Sequence, residues 1–146
     1  MATVAQVLKS KPNHPVFTID QNASVYDAIA MMAEKVIGAL VVTNGEAIVG
    51  IMTERDYARK VVLMDRVSRL TPVRDIMSSQ VRFVRPDQTT DECMALMTDH
   101  RMRHLPVLDG EALVGMISIG DLVANIISEQ KLTIQHLEGY IRGETM

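Results

Sequence analysis

The chain has 146 residues, 47% of them hydrophobic but only 3% aromatic, with 11 Met and no Trp, so its core has to be aliphatic and methionine-rich. A net charge of −3 gives no electrostatic reason to expect nucleic acid as a partner, and the single Cys93 excludes an internal disulfide framework and suits a reducing compartment. The chain opens without a charged-then-apolar leader, and no apolar run approaches the roughly 20 residues of a membrane helix; the expectation is a cytoplasmic globular protein with no membrane partner.

The length fits one domain or two small repeats sharing a core. After an N-terminal stretch around residues 4–8, residues 16–19 read as a short strand. Ser24-x-x-Asp27 then matches the capping-box spacing that starts a helix. Ile29, Met32, Ala33 and Val36 give that helix an apolar stripe. Asn44-Gly45 lies between two β-rich runs, the strongest short-range hairpin signal. A second helix is expected to begin at Thr53.

The pattern then returns. Displacing the chain by 65 positions lays 18–56 on 83–121 without a gap. Ala30/Ala95, Met32/Met97, Leu40/Leu105, Val42/Val107, Gly45/Gly110, Glu46/Glu111, Ala47/Ala112, Val49/Val114, Gly50/Gly115 and Asp56/Asp121 are identical pairs. Residues 81–84 therefore read as a strand and Thr89-x-x-Glu92 as a capping box. Met94, Met97 and Met102 supply an apolar stripe, Asp109-Gly110 a hairpin, and Ser118 the start of a second helix. Two copies are too few for a solenoid, so a closed pseudo-dimer is the expected arrangement. Residues 129–143 read as a further helix with Ile134, Leu137 and Ile141 on one stripe, suited to covering the fold or to pairing chains.

One phrase carries the candidate chemistry. Gly50-Ile-Met-Thr53-Glu-Arg-Asp56 recurs as Gly115-Met-Ile-Ser118-Ile-Gly-Asp121. A hydroxyl residue followed three positions later by Asp is a capping box. The same geometry lets the hydroxyl and free N–H groups face a phosphate, while the ionised Asp accepts from two vicinal ribose hydroxyls. The two readings are compatible, because the cap positions what a ligand would use. His100, Arg101, Arg103 and His104 form a basic cluster before the second hairpin, where the first copy has Lys35, Val36, Gly38 and Ala39. The cluster is either a phosphate contact or a solvated turn. His100 and His104 share an i, i+4 spacing but have no third ligand nearby, so no metal is expected. The methionines read as core filling and Cys93 as a small buried hydrophobe.

The gapless repeat, the Leu105-Pro-Val-Leu-Asp-Gly110 hairpin and the repeated Gly-to-Asp phrase together resemble tandem cystathionine-β-synthase (CBS) domains, the Bateman module. The resemblance runs from about Val4 to Ile127. It implies an α+β fold of two β-α-β-β-α repeats related by an internal pseudo-two-fold, forming a disc with two clefts. It divides the chain into repeat 1 with its N-terminal segment and linker (1–68), repeat 2 (69–128) and a C-terminal helix or tail (129–146). Such clefts bind adenosyl ligands: AMP, ADP, ATP, NAD or S-adenosylmethionine. Carried over, Asp56 and Asp121 would each hold a ribose, with Thr53, Arg55, Ser118 and Gly120 along the ribose–phosphate path. Each cleft would borrow the segment that leads into the opposite repeat. For Asp56 this is Met77, Ser78, Ser79, Gln80 and Val81. For Asp121 it falls within residues 9–16, with Lys11, Pro12, Pro15 and Val16 as candidates and Ile37, Gly38 and Ala39 as an apolar wall. Residues 4–8 resemble 73–77 but stand four positions further from their strand, so this second segment departs from the internal symmetry. Arg103 and His104 would contact phosphate.

The function implied is a regulatory sensor, not an enzyme. No nucleophile–base pair, metal set, Walker phrase or Gly-rich dinucleotide turn can be assembled. Its partners would be a small adenosyl ligand, a second copy in a homodimer, and a separate target protein. Ile29, Met32, Met94 and Met97 are the residues that suggest pairing of copies. The alternative is a structural dimerisation module in which the same Asp residues survive only as caps.

Overall fold

A computed structural model describes residues 2–11 and 16–143. Its elements are α1 (Val4–Ser10), β1 (Thr18–Asp20), α2 (Val25–Lys35), β2 (Ala39–Asn44), β3 (Ala47–Thr53), α3 (Glu54–Tyr57), α4 (Thr90–His100), β4 (His104–Asp109), β5 (Ala112–Ser118) and α5 (Ile119–Ile141). The fold is α+β. Among the described residues, 16–82 form one compact unit, and 2–11 together with 83–143 form the other.

In the unit of 16–82, β1 runs parallel to β2, and β2 pairs antiparallel with β3. Gly45, at φ 63°, makes the hairpin turn, a conformation that a Cβ would strain. Ser24 caps α2, its hydroxyl accepting from the Asp27 N–H at 3.1 Å. The buried face of that helix is Val25, Ala28 and Met32, with Ile29 packed beside them, so the expected stripe holds at Ile29 and Met32 and fails at Ala33 and Val36. Ala33 is exposed, and Val36 is the left-handed C-cap, 88% exposed. The core joins Ile19, Val25, Ala28, Met32, Leu40, Val42, Met52 and Val61 to Val73 and Ile76 from the far end of the unit. The helix begun at Thr53 lasts one α-turn, then widens into a π-helical turn over Ala58–Val62.

The other unit repeats this plan with its N-terminal piece brought in from the start of the chain. Ile19, Ala28, Met32, Leu40, Val42 and Met52 are matched 65 positions later by Val84, Cys93, Met97, Leu105, Val107 and Ile117, all in one core. Val4 and Val7 of α1 complete that core as Val73 and Ile76 complete the first. Both hairpins shift register at the same place, between Val42 and Thr43 and between Val107 and Leu108. The strand expected over 81–84 shrinks to a bridge from Val84 to Val107. Pro106 explains this: it occupies the place of Val41, whose N–H donates to Phe17 O in the first sheet, and proline has no N–H to give. The helix expected over 129–143 is not separate, because α5 runs unbroken from Ile119 to Ile141.

Met32 and Met97 are thus spent inside their own cores, and Ile29 and Met94 pack against them. The residues that suggested pairing between copies do not form a free surface. No helix among the described residues is long and apolar enough to cross a membrane.

Candidate functional site

Each unit fixes one Asp at the junction of a strand and a helix. In the first, Thr53 ends β3 and caps α3: its hydroxyl accepts from the Asp56 N–H at 3.2 Å, and Asp56 Oδ2 accepts from Thr53 N–H at 2.9 Å and from its hydroxyl at 3.1 Å. In the second, Ser118 accepts from the Asp121 N–H at 3.1 Å, and Asp121 Oδ2 accepts from Ser118 N–H at 2.8 Å. These are full capping boxes, each satisfying two orphan donors. They also hold each carboxylate half-buried at one rotamer. A carboxylate has about four acceptor positions, so the caps leave capacity unspent.

Each carboxylate also meets an ammonium, supplied differently in the two units. Lys60, one turn beyond Asp56, approaches its Oδ1 at 3.3 Å and donates to Ile76 O at 2.9 Å. At the position equivalent to Lys60 the second unit has Asn125, whose buried Oδ1 has no hydrogen-bond partner among the described residues. Its ammonium comes instead from Lys11, which donates to Asp121 Oδ2 at 2.9 Å and to Met116 O at 2.8 Å. In both cases the lysine ties a lead-in segment to the site. Sequence reading overlooked Lys60, although an Asp–Lys i, i+4 pair on a helix was its available signal.

The lead-in segments lie against glycines. Ser78 exchanges both backbone hydrogen bonds with Ile51, at 2.9 and 3.0 Å. This is possible because Gly50 has no side chain: a Cβ there would stand 2.8 Å from Ser78 O and 2.6 Å from Met77 Sδ. At the equivalent Gly115 a Cβ would stand 2.7 Å from a Leu8 methyl. Met77, Ser78 and Val81 are half-buried, while Ser79 and Gln80 are exposed. Gly38 O accepts from Glu54 N–H at 3.2 Å and Ala39 pairs with Thr53, so residues 37–39 border the Asp56 cap; Arg55 is exposed on its first turn. Val16 is half-buried in the same unit, and Pro12 and Pro15 lie outside the described residues.

The equivalent border of the Asp121 cap is basic. Arg103 O accepts from Ile119 N–H at 2.8 Å, and His104 pairs with Ser118. Arg103, Arg101, His100 and Gly120 are exposed, whereas His104 is half-buried. Burial lowers the His104 pKa; the Asp121 carboxylate opposes this, and the Lys11 and Arg103 charges reinforce it. For Asp121, burial pushes the pKa up, but the Lys11 ammonium and the Ser118 N–H and hydroxyl outweigh it, and the net shift is downward. The site therefore carries a firmly ionised acid ringed by cationic or cationisable groups. No group of three or more His, Cys, Asp or Glu side chains able to hold a metal lies among the described residues.

Comparison with known proteins gives the same plan a family. The CBS domain family matches residues 4–63 and again 73–128. A CBS domain-containing protein of Arabidopsis thaliana, CBSX3, mitochondrial, is 40% identical over 149 aligned positions, covering 97% of this chain and 72% of that protein. The structure of a CBS-domain protein from Burkholderia ambifaria is 62% identical, covers 88% of this chain and 96% of its own, and superimposes with a TM-score of 0.85. The CBS domain pair of protein MJ0100, solved with 5-methylthioadenosine and S-adenosyl-L-methionine, shares the fold at 21% identity and a TM-score of 0.75, over 88% of this chain and 98% of that one. The chain belongs to the CBS-domain family and carries two CBS domains in tandem.

Proposed function

We propose that this CBS-domain pair is a non-catalytic sensor that binds adenosyl ligands, with Asp56 and Asp121 each accepting from a ribose diol. The observation that carries this reading is the duplicated constellation itself. At equivalent positions, each unit presents a half-buried carboxylate locked by a helix cap, with a lysine ammonium at hydrogen-bond or ion-pair distance. The adenosyl ligands bound by the MJ0100 pair support the ligand class. Lys11, Lys60, Arg103 and His104 favour phosphorylated members of it, AMP, ADP, ATP or NAD, over neutral adenosine. Binding would regulate by linkage: a ligand that prefers one conformation shifts the population toward it, and a second copy or a separate target protein reads the change.

One observation favours the structural reading instead. Asp56 Oδ2 already accepts from both the N–H and the hydroxyl of Thr53, as a cap alone requires. Asp56→Asn and Asp121→Asn separate the two, since Asn keeps a cap-competent oxygen and loses the charge. Calorimetry with AMP, ADP, ATP, NAD and S-adenosylmethionine, beside denaturant melts of the same samples, is the test. The sensor reading expects wild-type binding, with about 2.7 kcal/mol of added stability at one hundred times Kd, and its loss in the folded double variant. Unchanged affinity in that variant would leave only the caps.

A further inference from the structure

The second half of α5 presents a heptad seam to solvent. Ile127, Ile134 and Ile141 recur every seven residues, and Val123, Gln130 and Leu137 recur between them. This spacing of four and three is the a/d repeat of paired helices. The apolar members are exposed where a lone helix would bury them: Ile127 47%, Ile134 53%, Leu137 58% and Ile141 81%. Residues 131–138 are exposed on every side of the helix, so no other described residue covers this face. Leu132 falls on the opposite side and takes no part. Lys131 and Glu138 stand one heptad apart on the same rim of the seam, at its e positions, and both are exposed.

We infer that this seam pairs with the same seam of a second copy, antiparallel. The rim charges select the partner and the direction. In an antiparallel pair of identical helices e positions face e positions, so Lys131 of one copy meets Glu138 of the other, twice by symmetry. A parallel pair would instead set these e positions against Ile126 and Thr133, with no charge to meet. In the antiparallel pair Ile134 of each copy packs against Leu137 of the other at the centre, and the polar Gln130 falls toward the ends. This deepens the pairing of copies read above by naming its surface, and it is independent of the nucleotide reading.

Sedimentation equilibrium on the full chain, with circular dichroism as a control for folding, tests it. Ile134→Glu with Leu137→Glu changes only exposed side chains to another good helix former. The expected result is a folded chain whose dimer dissociation constant rises by at least about a hundred-fold, since each substitution removes its apolar burial twice. Lys131→Glu alone should raise that constant by about ten-fold, and adding Glu138→Lys should restore it. A wild-type chain that stays monomeric would overturn both the pairing and the seam. A dimer indifferent to the two Glu substitutions would overturn the seam alone. A seam-dependent dimer indifferent to Lys131→Glu would overturn the antiparallel direction.

Discussion

Lys11 Nζ and Asp121 Oδ2 lie 2.9 Å apart across 110 positions of sequence, and both side chains are about four-fifths shielded from water. Lys60 serves Asp56 from a single turn away, with nearly half of its own side chain exposed. The same ammonium–carboxylate contact is therefore a tertiary tie in one unit and a local one in the other. Lys11→Met should cost roughly 1.5–3 kcal/mol, the range for a shielded bond to a charged group. Lys60→Met should cost under about 1 kcal/mol, as a solvated pair does. Urea unfolding of the two variants gives the comparison, and equal costs would contradict it.

The Lys11 pair also sets an acid dependence. Asp121 has a folded pKa below its ordinary value, so the unfolded state binds its proton first as pH falls. Its contribution is fully present above the ordinary carboxylate pKa of about 3.9 and is lost below it, toward the lowered folded value. In Lys11→Met the burial that raises this pKa loses its main opponent, and that part of the acid dependence should flatten or reverse. Denaturation midpoints measured from about pH 3 to pH 7 report the difference.

Gly50 and Gly115 make a matched pair with unequal neighbours. Gly50→Ala drives a methyl against the carbonyl of Ser78, a residue held by two backbone bonds to Ile51 that cannot swing aside. Gly115→Ala meets only the end of the Leu8 side chain. Overpacking that forces backbone to move costs about 1–3 kcal/mol, so Gly50→Ala should be the more damaging in denaturant melts. It should also weaken any ligand held at Asp56, because the lead-in segment moves with Ser78.

His104 should make the fold sensitive to mild acid. Its pKa is lowered chiefly by burial, so folding keeps it neutral while the unfolded chain protonates it. Above an ordinary imidazole value of about 6.5 both states are neutral and the effect is nil; as pH falls toward the lowered folded value, protonation increasingly favours the unfolded chain. His104→Gln should remove this slope while leaving stability near pH 7.5 almost unchanged. Phosphate contact would act the other way, favouring the imidazolium. An imidazole NMR titration with and without AMP should therefore show the His104 pKa rising on binding, and no change would remove His104 from the phosphate path.

Cys93 is fully buried on α4, and burial, helped by the Glu92 charge, pushes its thiol up to about 11. Only the thiolate reacts. Iodoacetamide should therefore leave the folded chain unmodified near pH 8, where a free thiol of pKa about 8.5 would react. Labelling should appear only in step with global unfolding, and rapid labelling of the native chain would contradict this packing.

Much of this was legible in the sequence because the repeat reports twice on the same physics. Leu40 with Leu105, Val42 with Val107 and Met32 with Met97 were identical pairs, and each pair fills the same place in two cores. The caps at Thr53 and Ser118 followed from three-residue spacing alone. What escaped was long-range or broke the symmetry. The family resemblance sets Lys11 among the candidates at Asp121, but its segment has no gapless counterpart, so no spacing rule gives the ion pair that joins them. Val36 looked like the next member of an apolar stripe, but the helix ends at Lys35 and the following residue turns left-handed. Pro106 shortened a strand by withholding one N–H, an effect that depends on which neighbour needed it.

The discontinuity of the second unit bears on how the chain reaches this state. Everything needed for the core of 16–82 is contiguous and can collapse as soon as it exists. The Leu8 side chain, by contrast, has its seat over Gly115, and closing that contact means closing the whole intervening stretch, at an entropic cost that grows only slowly with length. The seat for α1 exists only once β5 is made, so α1 is expected to dock after it. In crowded refolding the same vacant seat on a neighbouring molecule is equally good, which makes exchange of α1 between copies the characteristic misassembly of this architecture.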